Sequence, residues 1–316
     1  MMVEQLQNQY QTWITIGTEE KLMRLVTFRH DGHARIGIET KTGIVPLDEL
    51  VPGAPDTMLG VIDAGEALLS KARQALSEGK ARPVAGEVRL MAPVPVPRAN
   101  VMCVGKNYYE HAAEFEGSGF DSSSGGQNIP EVPIFFTKVP GSVIGPDDEI
   151  DGSLDTDGTL DYEGELTLVI GKEGRRIPPE KAYEHIFGYT IINDVTARAT
   201  QQRHKQWFLG KSFDTFCPMG PAIVTADEIP DPTVMQLQTR VNGELRQNVS
   251  VKDLIFDIPT MIAAASHGMT LRPGDLIATG TPAGVGIGFK PPKYLKAGDV
   301  VDVTIEPIGT LTNRVA

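Results

Sequence analysis

Cysteine is scarce, with only Cys103 and Cys217 among 316 residues. Neither stands in a CxxC pair or at a metal-finger spacing, which argues against a disulfide-built scaffold or a zinc finger. Reduced, buried thiols in a cytoplasmic protein are expected instead. Long apolar runs are also missing. No stretch of about 18 apolar residues occurs, so no membrane-spanning helix is expected. Met1 to Lys21 is polar and lacks the apolar centre of a secretory signal. Positive charge is in the minority, with 29 Lys and Arg against 41 Asp and Glu and a formal net charge of −12. A field of that sign repels a nucleic-acid backbone or an anionic membrane, and neither is expected as a partner. An anionic metabolite stays open, because a bound cation and a few local basic residues reverse the sign inside one pocket.

What is plentiful is glycine (33) and proline (23), on an ordinary globular background of 41% hydrophobic residues. Frequent turns favour short strands over long helices. Strand-like alternation begins at Met23, so residues 1–22 read as an N-terminal extension or an upstream start. From Met23 to Leu50 short strands turn at Asp31-Gly32 and Thr42-Gly43, and Ala64 to Gly79 has helical spacing. The stiff segment Pro93-Val-Pro-Val-Pro97 suits a linker. It divides a small α+β unit, 23–96, from a larger domain, 97–316. In the latter, strands are expected at Val101–Gly105, Ile134–Thr137, Glu165–Ile170, Gly188–Asn193, Ala222–Thr225, Gln236–Val241, Leu276–Thr279 and Val300–Ile305. Helices are expected at Tyr109–Glu116, Thr196–Trp207 and Ile258–Ser266. The class is a β-rich α+β fold. Gly117 to Gln127, rich in glycine and serine, reads equally as a surface loop or as a lid beside candidate catalytic residues.

The most informative stretch is Leu160-Asp-Tyr-Glu-Gly-Glu-Leu-Thr-Leu-Val-Ile-Gly171. Alternation along a strand puts Asp161, Glu163 and Glu165 on one face and Leu166, Leu168 and Ile170 on the other. Converging carboxylates repel unless they are solvated or neutralised by a cation. An edge strand with a charged outer face is the plainer reading, and would be preferred for a lone ExE. A further acid, Asp194, ends the apolar run Tyr189–Asn193 just before a helix, a common place for a ligand. Hard carboxylate oxygens suit Mg²⁺ or Mn²⁺, with Ca²⁺ as a substitute in vitro, rather than zinc.

In Cys103-Val-Gly-Lys-Asn-Tyr-Tyr-Glu-His-Ala-Ala-Glu-Phe115, a helix would put His111 and Glu114 on one face, where a carboxylate raises the basicity of the imidazole. A surface ion pair explains an isolated HxxE more simply. Leu209-Gly-Lys-Ser212 lacks the upstream glycine of a P-loop. Gly280–Gly288 leads into Phe289-Lys-Pro-Pro292 rather than a helix, so it is not a dinucleotide fingerprint.

Taken in order, CVGKNYxxHxxE, FFTK, DYEGEL, IINDVTAR, QWFLGKSFDTFCPMGP, VNGELRQ and GDLIATGTPAGVG resemble the fumarylacetoacetate hydrolase family from about Pro97 to Gly309. The QRHKQWF and FKPPKYL segments look most like its domain-containing-protein-2 subgroup. The resemblance implies a mixed β-roll, usually homodimeric. Glu163, Glu165 and Asp194 look like metal ligands, and His111 with Glu114 like a water-activating dyad on a segment that closes over the substrate. Lys138 and Lys211 look like pocket lysines supporting the metal site or developing negative charge. Tyr108, Arg198, Gln201 and Thr281 are similar to substrate contacts. Lys106 stands where some relatives carry arginine, which weakens bidentate recognition of a carboxylate.

The implied substrate is a small 2-oxo acid, whose pyruvyl part a divalent cation would stabilise as an enolate. Hydrolysis of a C–C bond in an acylpyruvate is preferred, because a water-activating pair is present. Decarboxylation of oxaloacetate and isomerisation of 2-hydroxyhepta-2,4-diene-1,7-dioate are alternatives at the same site. A silent metal-binding scaffold is the non-enzymatic one.

Overall fold

The structure is a computed structural model that describes residues 22–80, 82–116 and 129–316, with the backbone alone for Phe115 and Glu116. The Gly117–Gln127 loop and all but the last residue of the expected N-terminal extension lie outside these residues.

Alternating apolar residues bury Leu25, Val26 and Phe28 of β1 (Arg24–His30). Asp31 and Gly32 both take positive φ and turn the chain tightly into β2 (His33–Thr40). The strand β3 (Gly43–Pro46) and the short helix α1 (Leu47–Leu50) follow. Helix α2 (Met58–Ser77) starts six residues before the periodicity predicts, because Thr57 caps it by accepting from the Gly60 amide at 3.2 Å. Its backbone breaks helical geometry at Gly65. Strand β4 (Arg89–Met91) then pairs back onto β1.

The remaining chain forms β5 (Val101–Gly105), α3 (Tyr109–Glu116), β6 (Ile134–Lys138), β7 (Val143–Ile144) and β8 (Glu149–Ile150). Next come β9 (Leu160–Asp161), β10 (Gly164–Ile170), β11 (Ile186–Asn193) and β12 (Thr196–Ala197). The helix expected over Thr196–Trp207 is two short ones, α4 (Arg198–His204) and α5 (Phe208–Lys211), separated where Lys205 takes φ 58°. Strands β13 (Cys217–Thr225), β14 (Gln236–Val241) and β15 (Glu244–Ser250), helix α6 (Ile258–Ser266) and strands β16 (Leu276–Ala278), β17 (Val300–Ile305) and β18 (Gly309–Val315) complete it.

The strands make a mixed 11-stranded sheet, ordered β3-β2-β1-β13-β11-β10-β16-β5-β6, with β4 on β1 and β7 on β13. A second sheet of five runs β15-β14-β17-β18-β8, and β9 pairs with β12. The β-rich α+β class is as expected. Apolar clusters cover both faces of the large sheet. On one side Leu166 and Leu168 pack with Leu237, Val303 and Ile305 of the smaller sheet. On the other, Val169 and Ile192 share a cluster with Val61, Leu69 and Ala72 of α2. Strand β10 is therefore central and buried at all seven positions, not the charged edge strand of the plainer reading. Pairing of β1 with β13 carries the large sheet across the Pro93–Pro97 segment.

Among the described residues no helix is long and apolar enough to cross a membrane.

Leu25 is fully buried where β1 meets β13. Leu25→Ala should therefore cost about 2–5 kcal/mol, read as a lower denaturation midpoint. A shift near zero would mean that this hairpin contributes nothing to the cooperative core.

Candidate metal centre

The carboxylates of Glu163, Glu165 and Asp194 converge, with one oxygen from each within 4.8 Å of the others and all three residues buried. Local pairing brings them together. Asn193, at the end of β11, is register partner to Gly164 and accepts the Glu163 amide through its side chain at 2.9 Å. The Asp194 amide donates to the Glu163 carbonyl at 2.7 Å. Asp161, expected on the same face, has left the group. The strand breaks at Tyr162–Glu163, and the Asp161 carboxylate accepts from the amides of Gly286 (2.6 Å), Tyr162 (2.9 Å) and Ile287 (3.0 Å).

Cations packed behind the acids make their burial tolerable. Lys211 Nζ donates to Glu163 Oε2 at 2.7 Å and to Asp194 Oδ2 at 2.8 Å. Lys138 Nζ donates to Asp194 Oδ1 at 2.5 Å, to the Val195 carbonyl at 3.1 Å and to the Lys211 carbonyl. Arg198 spans Glu163 Oε1 at 2.6 Å and Asp161 Oδ2 at 2.9 Å. Burial pushes Glu163 up, but Lys211 and Arg198 outweigh it and hold the carboxyl at about 2. Burial, Asp194 and Glu163 push Glu165 well above the ordinary carboxylate range, with Lys211 and the Gly280 amide opposing only in part. Burial lowers Lys211, but Asp194 and Glu163 more than restore it.

Three buried, convergent carboxylates, one of them driven towards its neutral form by its neighbours, are a donor set short of positive charge. An all-oxygen set of this kind fits a hard divalent cation such as Mg²⁺ or Mn²⁺.

The other predicted residues divide in two. His111, Lys106, Gln201, Thr281 and Lys211 line one narrow cavity of about 20 Å³ together with Glu163, Glu165, Val104, Gly105, Phe136 and Trp207. Lys106 is held there by the turn after β5, where it takes φ 53°. The Asn107 side chain pins that turn to the Thr279 carbonyl at 2.8 Å and to the Phe256 amide at 2.7 Å. Arg198, Lys138 and Tyr108, expected as substrate contacts, are not on this wall. Arg198 and Lys138 are fully buried behind the acids, their heads engaged by carboxylates, and the Tyr108 phenol is buried and pushed up by burial and by Glu165. Glu114 also stands off the cavity, 3.5 Å from His111 Nδ1, with its carboxylate accepting from the Gly284 amide at 2.9 and 3.2 Å. A wider groove of about 760 Å³, between Asp155, Arg246 and Tyr294, involves none of the three acids.

Sequence reasoning missed the organiser of this site, the loop Gly280–Gly288. Its backbone amides serve Glu165 (Gly280), Glu114 (Gly284) and Asp161 (Gly286 and Ile287). Gln247 braces it by donating to Thr281 Oγ1 and the Pro282 carbonyl, each at 2.8 Å. Gly284 is obligatory: it takes φ +101°, and a Cβ there would lie 1.9 Å from the Arg246 carbonyl oxygen. The dense glycine pattern was the available signal, and its failure to match a dinucleotide loop hid the other use of free amides, holding carboxylates.

Residues 100–316 match the family described as Fumarylacetoacetate (FAA) hydrolase C-terminal. The chain is 50% identical over 276 residues to the oxaloacetate tautomerase YisK of Bacillus subtilis, covering 84% of this chain and 88% of that protein. It is 42% identical to the human mitochondrial oxaloacetate tautomerase FAHD2A, over 93% of this chain and 91% of the relative. Among solved structures, a fumarylacetoacetate hydrolase from psychrophilic Exiguobacterium antarcticum is 47% identical with a TM-score of 0.79, covering 93% of this chain and 99% of its own. The maleylpyruvate hydrolase of Sphingobium sp. SYK-6, in complex with manganese(II) and pyruvate, is 33% identical with a TM-score of 0.74, again over 93% and 99%.

In cation-free protein the Glu163 carboxyl, lowered from 4.5 to about 2, contributes stability that is present above pH 4.5 and is lost as the pH falls towards 2. Lys211→Met removes its main partner and should cost about 3–5 kcal/mol in chelator, seen as a lower melting temperature. Millimolar Mn²⁺ should recover part of that loss. An unchanged melting temperature in chelator would contradict the balance of charge described above.

Proposed function

The chain belongs to the fumarylacetoacetate hydrolase family, and from that premise we propose that it is a divalent-metal-dependent enzyme interconverting the enol and keto forms of oxaloacetate. Glu163, Glu165 and Asp194 would hold the ion, Mg²⁺ or Mn²⁺, which supplies Lewis-acid stabilisation of negative charge on the substrate oxygens. The observation that carries this reading is the position of His111, which lines the cavity with Glu163 and Glu165 and lies 3.5 Å from the Glu114 carboxylate that the Gly284 amide holds. An imidazole on the wall suits proton traffic at carbon. It takes a proton from C3 of the keto acid and returns it in the reverse direction, and the C2 oxygen gains or loses the balancing proton. Glu114, 3.5 Å from Nδ1, would orient the ring. Lys211 would meet negative charge growing on the substrate, and Lys106 and Gln201 would engage the carboxylate beside the 2-oxo group. The names of the 50% and 42% identical relatives support the same reaction.

Hydrolysis of an acylpyruvate, preferred on the dyad alone, becomes the second reading. The His111–Glu114 pair is equally able to take a proton from water, and the 33% identical manganese-bound relative is named for hydrolysis of maleylpyruvate. Residues 23–96 would flank the catalytic part, and the protein would act as a homodimer.

The test follows the decay of enol-oxaloacetate by its ultraviolet absorbance with Mn²⁺, and pyruvate release from acylpyruvates in parallel. His111→Ala should slow tautomerisation by about 10²–10⁴-fold. Glu114→Gln should lose less and shift the pH profile. Glu165→Ala should abolish metal-dependent turnover. Full activity of His111→Ala, or of any form in metal-free buffer, would refute the assignment. Pyruvate release without enol decay would favour hydrolysis.

A further inference from the structure

The cavity has one apolar side. Of the side chains lining it among the described residues, Glu163, Glu165, Lys106, His111, Gln201, Lys211 and Thr281 are polar, whereas Val104, Phe136 and Trp207 are apolar. Trp207 sits at the break between α4 and α5 with only 8% of its surface exposed. The indole lies directly on the backbone of Gly105: a Cβ at that position would be 2.2 Å from Cζ3 and 2.7 Å from Cη2 of the ring. No other residue type leaves room for it there. Its second contact is Phe136, whose ring meets it edge-to-face at 5.2 Å and an angle of 73°. Phe136 in turn lies 5.0 Å from Lys211 Nζ, the cation that bridges Glu163 and Asp194. The aromatic pair is thus fixed relative to the acids by packing on one side and by charge on the other. The enclosed space, about 20 Å³, holds roughly one water molecule.

From this we propose that Trp207, seated on Gly105 and braced by Phe136, is the specificity-determining residue that limits how long a tail the 2-oxo acid substrate carries. The inference rests on the function proposed above, since it takes the 2-oxo acid head to be held at the acid cluster. A head held there would set its tail against the aromatic wall, the apolar side of the described lining. Trp207 cannot retreat towards Gly105, because the two are already in contact, and Phe136 closes its flank. The wall therefore sets the length of tail the site accepts, by overlap with a surface that Gly105 and Phe136 keep from receding. Rejection of that kind is steep, since one methylene in a fitted pocket changes selectivity by about 10- to 200-fold.

The experiment is calorimetric titration of the manganese-loaded protein with the unbranched series pyruvate, 2-oxobutanoate, 2-oxopentanoate and 2-oxohexanoate. In the wild type, affinity should fall by roughly ten-fold or more at the step where the tail meets the indole. Trp207→Ala should move that step to a longer acid or remove it. Trp207→Phe keeps an aromatic ring against Phe136 and should give an intermediate profile; it decides the matter if the alanine variant does not fold. An unchanged profile in the variant that folds would overturn the role of Trp207 and leave the proposed function standing. Failure of the wild type to bind even pyruvate would overturn both. Trp13 and Trp207 are the only tryptophans, so Trp13→Phe makes Trp207 the sole indole reporter. Its emission should change on pyruvate binding, and a silent indole despite calorimetric binding would also count against the proposal.

Discussion

Three carboxylates are forced together inside the protein, and almost everything around them answers that constraint. Brought within 4.8 Å of one another and out of water, Glu163, Glu165 and Asp194 would each favour the neutral acid. Lys211, Lys138 and Arg198 are buried to oppose this, and each points its charge at a specific carboxylate oxygen. The compensation is uneven. Glu163 is gripped by two cations and stays ionised, while Glu165 receives only an amide and stays drawn towards its proton. A cluster so arranged stores a demand for one more cation, and the folded chain meets it incompletely by itself.

The second supporting element carries no side-chain charge. The Gly280–Gly288 loop presents amides to Glu165, Glu114 and Asp161, and so ties the acid cluster, the imidazole's partner and the anchor of Arg198 to one backbone segment. The smaller sheet fixes the loop through Gln247, and the larger sheet fixes the acids through β10 and β11. The site is thus where the two sheets are held in register by polar contacts rather than by apolar packing alone.

Much of this could be read from the amino-acid order. Period-two alternation located most strands, and the convergence of Glu163, Glu165 and Asp194 was legible from that alternation and from the strand-end place of Asp194. The approach of His111 to Glu114 was legible from helical spacing. Less could be read where long-range partners decide the outcome. Asp161 has the same alternation as Glu163 and Glu165, yet amides more than 120 residues away draw it out of the group. Arg198 and Lys138 read as pocket residues because sequence does not tell a cation facing substrate from one facing the back of a ligand. Trp207 reads only as the end of a helix and part of the QRHKQWF segment, since its partner is the missing side chain of Gly105, and a contact with an absence leaves no pattern.

The division of the cavity into a polar side and an aromatic side separates what can vary from what cannot. On the polar side Glu163 and Lys211 each bond two partners, so replacing one disturbs the rest. The aromatic side reaches the acids through the ring of Phe136 and the Nζ of Lys211. A chain built this way can trade one substrate for another by redrawing a single wall, without rebuilding the machinery behind the reaction, which is the condition under which one ancestral scaffold gives rise to many activities.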